Sequence, residues 1–138
     1  MLAQNFKTAE ELGIEEDLYN ALKKVLVRLE TNDLVWVEED DFNKLPNGFN
    51  MNALLIQMGK CGTVGCIAGW AAMEMRYNPN EILDKLEYGE ALYQLFYPII
   101  IGENCIDYNS ITTEQAAQTL RTYLTTSKVD WLHCLVKY

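Results

Sequence analysis

The sequence predicts an all-α single domain of about five or six helices, with at most one short extended segment. Two observations support this prediction. Apolar residues recur at helical spacing through most of the chain, and capping-box patterns precede two of these runs. The chain has 138 residues, 49 % of them hydrophobic, which suffices for a core and excludes a disordered protein. We expect one domain over 1–138, with an acidic helix and loop at 1–44 and the motif-bearing core at 45–138.

The first helix is predicted by its start signal and its apolar stripe. Thr8 and Glu11 form a capping box, in which the threonine hydroxyl accepts a hydrogen bond from a free backbone N–H group. This helix should be interrupted or bent near Gly13 and end near Thr31, and residues 34–41 are either a short extended piece or a loop. The stripe that faces the core consists of Leu18, Leu22, Val25, Leu26 and Leu29.

The middle of the chain is also predicted to be helical. Residues 45–48 contain Pro-Asn-Gly and form a turn, after which Asn50 or Asn52 is a candidate cap for a brief helix to Met58. A longer helix is expected from about Thr63 to Arg76, ended by the Asn-Pro-Asn sequence that follows.

The last third contains the clearest helix signal. Residues 81–96 fit one helix or two short ones broken near Gly89. A helix over 111–124 follows, and Asp130 is a candidate cap for a final turn. The start of the 111–124 helix is marked by a capping box and a hydrophobic staple, formed by Thr112 with Gln115 and by Ile111 with Ala116.

Charge is unevenly distributed along the chain. The net charge is -9, and residues 1–41 hold eleven acidic and four basic side chains. Such a surface repels phosphate backbones, so we expect no direct nucleic-acid binding and instead a protein partner with a basic surface. The densest cluster, and the expected contact, is Glu38, Glu39, Asp40 and Asp41.

The sequence favours a cytoplasmic protein. The longest apolar run, 95–101, contains a proline and is far shorter than the ~20 residues of a membrane-spanning helix, so no membrane partner is expected. No leader pattern opens the sequence, and the four cysteines are therefore expected to be reduced. Phosphate-binding glycine loops, zinc-protease motifs and calcium loops are missing from the sequence, so no cofactor is expected.

The stretch 60–72 has two cysteines, three glycines and three alanines, and packing is its first interpretation. A glycine inside a helix costs about 1 kcal/mol relative to alanine, so Gly65 and Gly69 would need compensation. Close approach of neighbouring helices would supply it, and buried cysteine behaves as a small hydrophobic residue.

Two alternatives give this stretch a chemical role. In the first, Cys61 lies at a helix N-terminus, where its pKa is lowered, and His133 is the base of a cysteine-dependent enzyme or thiol sensor. In the second, Cys61, Cys66 and Cys105 join His133 or Cys134 in a structural zinc site, although the spacing lacks the usual paired cysteines.

Short motifs occur at 49–52 (Phe-Asn-Met-Asn), 61–70 (Cys-Gly-Thr-Val-Gly-Cys-Ile-Ala-Gly-Trp), 95–96 (Leu-Phe), 111–117 (Ile-Thr-Thr-Glu-Gln-Ala-Ala) and 129–131 (Val-Asp-Trp). Together they resemble a group of small bacterial and phage-encoded proteins of uncharacterised function. The group shares Phe-Asp/Asn-Met, Cys-Gly-Thr-x-x-Cys-x-Ala-Gly, Leu-Phe, Thr-x-x-Gln-Ala-Ala and a terminal Asp-Trp. The resemblance covers roughly residues 45–131 and implies no reaction; members often have a histidine where this chain has Trp70. The motif positions that we treat as structural are Cys61, Gly62, Thr63, Cys66, Gly69, Asp130 and Trp131.

The functional expectation is a non-enzymatic interaction protein, encoded by a phage or mobile element, that binds a host or viral protein through its acidic N-terminal region. Imitation of nucleic acid in a basic groove is one form such binding could take. The alternatives are the Cys61 and His133 chemistry, the zinc module, and a ligand-binding module whose pocket the sequence does not reveal.

Overall fold

The computed structural model describes residues 5–38, 47–51, 53, 55–58, 62–86, 90–97 and 110–131. Within these ranges the chain forms six helices and a four-stranded sheet. The helices are α1 (Ala9–Leu12), α2 (Glu16–Glu30), α3 (Ile67–Met75), α4 (Pro79–Leu83), α5 (Ala91–Phe96) and α6 (Thr113–Thr126). The strands are β1 (Val35–Trp36), β2 (Gly48–Phe49), β3 (Leu55–Met58) and β4 (Gly62–Gly65).

The sheet makes the fold mixed α/β, so the all-α prediction is wrong. Its strand order is β1-β2-β4-β3; β1, β2 and β4 run parallel, and β3 pairs antiparallel with β4. The register places Ile56 opposite Val64. Two predicted helical segments are affected: the brief helix to Met58 is instead β3, and the helix expected from Thr63 begins only after β4.

Pairing between distant strands explains this difference. Residues 62–65 contain a β-branched Thr-Val pair between glycines, and two partner strands satisfy their backbone groups. Gly48 allows the close approach, because a Cβ at Gly48 would lie 2.9 Å from Val64 Cγ2 and 3.0 Å from Val37 Cγ2. Val37, Val64 and Ala53 form a small apolar cluster of their own beside the main core.

The N-terminal helices form as their local signals predict. Thr8 and Glu11 make both hydrogen bonds of the capping box, and Gly13 ends α1 with a φ of 72°, which is accessible to glycine without strain. A second helix begins three residues later and ends at Glu30, with Thr31 as its C-cap. The predicted interruption near Gly13 and the predicted end near Thr31 are therefore confirmed.

Helix α2 is central to the main core because it packs against both α3 and α6. Its seven buried residues include the whole predicted leucine and valine stripe. On the α6 side, the Arg121 guanidinium donates to both carboxylate oxygens of Glu30, at 2.8 and 2.6 Å. The backbone N–H of Lys7 donates to the Leu124 carbonyl at 2.8 Å, which ties the N-terminal segment to α6.

The C-terminal helices complete the core. The Thr112 and Gln115 capping box is formed, and Ile111 and Ala116 are both buried, as the staple predicts. Asn78 caps α4 with Pro79 at its first position, so the Asn-Pro-Asn sequence starts a helix as well as following one. Of the residues placed in the structure, none belongs to a helix long and apolar enough to cross a membrane.

Candidate interaction surface

The cysteine-glycine motif lies at the junction of β4 and α3. Gly62 and Thr63 are in β4, Cys66 is the N-cap of α3, and Gly69 is a buried residue inside that helix. Only Gly69 is therefore a helix glycine, and Gly65 belongs to the strand. Every residue from Val64 to Ala72 is buried, which is the environment that the packing interpretation requires.

Trp70 connects four elements at this junction. Its indole Nε1 donates to the Gly48 carbonyl of β2 at 2.9 Å, and a Cβ on Gly65 of β4 would lie 3.3 Å from the same ring. The Arg28 guanidinium of α2 lies 4.6 Å from the centre of the Trp70 ring, a cation–π geometry. The position after the Ala-Gly of the motif therefore holds a buried structural residue, only 2 % exposed.

Cys66 occupies the helix N-terminus that the sequence assigned to Cys61. Burial raises the pKa of the Cys66 thiol, and the backbone N–H groups of Gly69 and Ala68 oppose that shift only in part. The thiolate is the reactive form of cysteine, so Cys66 is a poor nucleophile at neutral pH. Its structural role is that of a small apolar residue at the base of α3.

The other residues expected to carry chemistry lie outside the described part of the chain. They are Cys61, Cys105, His133 and Cys134, together with Glu39, Asp40 and Asp41. Glu38 is described and exposed, and so is Asp130. Trp131, the last described residue, is buried and donates from Nε1 to the Gln94 carbonyl at 3.0 Å. Among the side chains that are placed, no group of three His, Cys, Asp or Glu could hold a metal ion.

Acidic residues concentrate where α1 meets α2. Glu10, Glu16 and Asp17 are exposed, and in the described structure none of the three lies within ion-pair distance of a basic group. Further along the same segment the acids are paired: Glu30 with Arg121, and Asp33 with Arg28 at 2.6 Å. The α1–α2 junction therefore carries negative charge that no basic group in the described structure compensates.

A cleft opens beside this acidic junction, with an internal volume of about 180 Å³. The floor is apolar, and its innermost residues, Leu18, Ile82 and Leu92, are each at most 7 % exposed. Half-buried apolar residues surround them, contributed by the α1–α2 turn, the end of α3 and the segment after α4: Ile14, Met75 and Leu86.

The rim of the cleft is mainly acidic. Glu15, Glu81 and Glu90 line it together with the half-exposed ring of Tyr77. Lys85 is the one basic residue among the described lining, and its Nζ lies 3.9 Å from Glu15 Oε1. Sequence reasoning missed this site because its residues come from four separate elements, and no local pattern connects them.

No family model, curated protein or solved structure matches this chain. The resemblance to the group with the Cys-Gly-Thr motif therefore stays a prediction.

Proposed function

We propose that this chain is a non-enzymatic, cytosolic interaction protein that binds a partner with a basic surface through its acidic N-terminal region. The carrying observation is the group of three exposed carboxylates at the α1–α2 junction, Glu10, Glu16 and Asp17, without a basic partner in the described structure. Glu38 is exposed on the same N-terminal segment and extends the proposed contact toward residues 39–41.

Two of these carboxylates also have a local role. Glu16 and Asp17 lie in the first turn of α2, where negative charge stabilises the helix by about 0.3–1 kcal/mol per residue. That role does not neutralise them toward solvent. Exposed, unpaired charges act over roughly 10 Å at 0.1 M salt, so they would steer a basic partner toward this end of the molecule.

Cys66, the cysteine that the structure describes, is not a candidate nucleophile. Cys66 is buried, carries no disulfide, and has a raised pKa, so the one thiol that the structure places is unsuited to nucleophilic catalysis. A buried free thiol also suits a reducing compartment.

The test is capture of partners from a bacterial lysate, followed by titration of each captured protein. The first variant, E10Q/E16Q/D17N, removes the unpaired junction charges, and a second, E38Q/E39Q/D40N/D41N, removes the later cluster. A control, D84N/E114Q, neutralises two exposed acids elsewhere. We expect the association rate with the captured partner to fall about tenfold for either acidic-region variant and to change little for the control.

Thermal unfolding of each variant separates loss of binding from loss of the fold, since the helix-start charges also contribute to stability. Capture of no basic partner would contradict the proposal. Binding that E10Q/E16Q/D17N leaves unchanged would also contradict it. So would binding that 0.5 M salt leaves unchanged, because exposed charge pairs weaken with salt.

A further inference from the structure

The cleft beside α2 has the size of one large apolar side chain. Its volume is about 180 Å³, and an apolar cavity of about 150 Å³ is known to hold a benzene-sized group. The floor of the cleft consists of apolar side chains from three helices: Leu18 comes from α2, Ile82 from α4 and Leu92 from α5. A leucine, phenylalanine or tryptophan side chain of another molecule fits this environment.

The acidic rim of the cleft favours positive charge next to that side chain. Glu15 and Glu81 are both exposed and both line the cleft; Glu15 is the N-cap of α2, and Glu81 lies in α4. Lys85 already places an ammonium group near Glu15, at 3.9 Å, with both side chains about two-thirds exposed. Such a surface pair contributes little stability, so an incoming lysine or arginine could replace it at small cost.

We propose that the cleft docks a short segment of the basic partner, which inserts one large apolar side chain and places lysine or arginine residues against Glu15 and Glu81. This inference rests on the proposed function and specifies the chemistry of the partner. A second copy of this chain is a poor occupant, because its net charge of -9 repels an acidic rim. The half-exposed Tyr77 ring at the rim adds a surface on which an arginine can stack.

Probe peptides test this chemistry directly. Each is a capped nonapeptide with two arginines on either side of a central leucine, phenylalanine or tryptophan. One comparison peptide has serine at the centre, and another has glutamates in place of the arginines. Binding is measured at 50 mM salt from the methyl NMR signals of Ile14, Leu18 and Ile82, which line the cleft.

Variants at the rim of the cleft should change the affinity for the peptides in opposite directions. Two charges about 4 Å apart in water interact strongly enough to change an affinity about fivefold. K85Q removes the competing cation and should tighten binding of the arginine peptides by about that factor, whereas E81Q should weaken it by a similar factor. K128Q and E114Q are matched controls, since both residues are exposed and neither lines the cleft.

The outcomes distinguish the cleft from the acidic surface. The cleft proposal is overturned if no apolar-centred peptide shifts the cleft methyls at 1 mM, if the serine peptide binds equally well, or if K85Q does not tighten binding. Sedimentation showing a dimer that K85Q alters would also overturn it in favour of self-association. The proposed function fails separately, if E10Q/E16Q/D17N leaves a basic partner's binding unchanged, because none of those three residues lines the cleft.

Discussion

Replacement of Trp70 by phenylalanine should destabilise the protein more than a change between two aromatic residues usually does. Trp70 is 2 % exposed, and its Nε1 supplies a hydrogen bond to the Gly48 carbonyl at 2.9 Å. Phenylalanine has no donor, so a buried backbone carbonyl of β2 would lose that partner. The same substitution shrinks the ring that packs beside Gly65 and that the Arg28 guanidinium covers at 4.6 Å.

The magnitude follows from these contacts. The Gly48 carbonyl also lies in the β2–β4 ladder, so it loses one of its donors, and a typical net hydrogen bond contributes about 0.5–1.5 kcal/mol. Loss of the second ring leaves a small void, comparable to other small core truncations at roughly 0.5–1.5 kcal/mol, and the cation–π contact weakens by about 0.5 kcal/mol. We expect Trp70→Phe to lower the free energy of unfolding by about 1.5–3.5 kcal/mol, a large fraction of the roughly 5–15 kcal/mol of a typical domain.

Urea unfolding followed by far-ultraviolet circular dichroism measures this loss, because the signal does not depend on the removed indole. An isosteric control replaces Trp70 with benzothienylalanine, which keeps the bicyclic shape and lacks the N–H donor. The control should account for about 0.5–1.5 kcal/mol of the loss, which is the share of the hydrogen bond. If the analogue is as stable as the wild type within 0.5 kcal/mol, the hydrogen bond to Gly48 does not stabilise the fold and the reasoning is refuted.

Three further predictions concern the strand, the thiol and a buried phenol. Gly48→Ala should lower the free energy of unfolding in urea by about 1–3 kcal/mol, because the new Cβ would lie 3.1 Å from the Thr63 carbonyl oxygen. Gly65→Ala should lower it less, since the nearest atoms to its Cβ are 3.3 Å away. Equal losses for the two variants would contradict the close-approach argument. Cys66 should resist iodoacetamide at pH 7 until the protein unfolds, as read by mass spectrometry, and fast native labelling would show that its burial is wrong. Burial, with Glu90 adding to it, raises the pKa of Tyr123 to about 12, while the unfolded tyrosine titrates near 10. The stability from the neutral phenol is therefore complete below pH 10 and decreases as the pH rises toward 12, by at most about 3 kcal/mol; Tyr123→Phe should flatten the decrease, and an unchanged slope would contradict it.

Helices with local start signals could be predicted from the sequence. The capping boxes at Thr8 and Thr112 and the glycine at position 13 involve contacts only three to five residues apart, so the pattern contains the whole interaction. The apolar stripe of α2 similarly predicts its buried face, because the face follows from the helical repeat alone.

The strands could not be predicted in the same way. Residues 55–58 are a short apolar run, which fits a buried helix and a buried strand equally well by periodicity. What decides between a helix and a strand is the pairing of residues 55–58 with β4. The pairing of β4 with β2 in turn depends on Gly48, whose register partner in β4 is Val64. Such contacts are non-local and leave no local pattern.

The candidate site likewise has a part that the sequence predicts and a part that depends on contacts between distant residues. The acidic character of the N-terminal segment is visible in composition, but which carboxylates are unpaired depends on distant residues: Arg121 pairs with Glu30 across the α2–α6 contact. The cleft required the fold itself, since Leu18, Ile82 and Leu92 come together only when α4 and α5 pack beside the start of α2.

The position of α2 has a consequence for how this surface can change over time. The buried positions of α2 pack against α3 and α6, so substitutions there destabilise the fold. Glu16, Asp17 and Asn20 of the same helix are exposed to solvent. Substitutions at the exposed positions of α2 can therefore accumulate one at a time while the buried positions stay the same. The charge of this outward face can therefore change with little effect on the stability of the core, since exposed substitutions usually alter stability by about 0.5 kcal/mol or less.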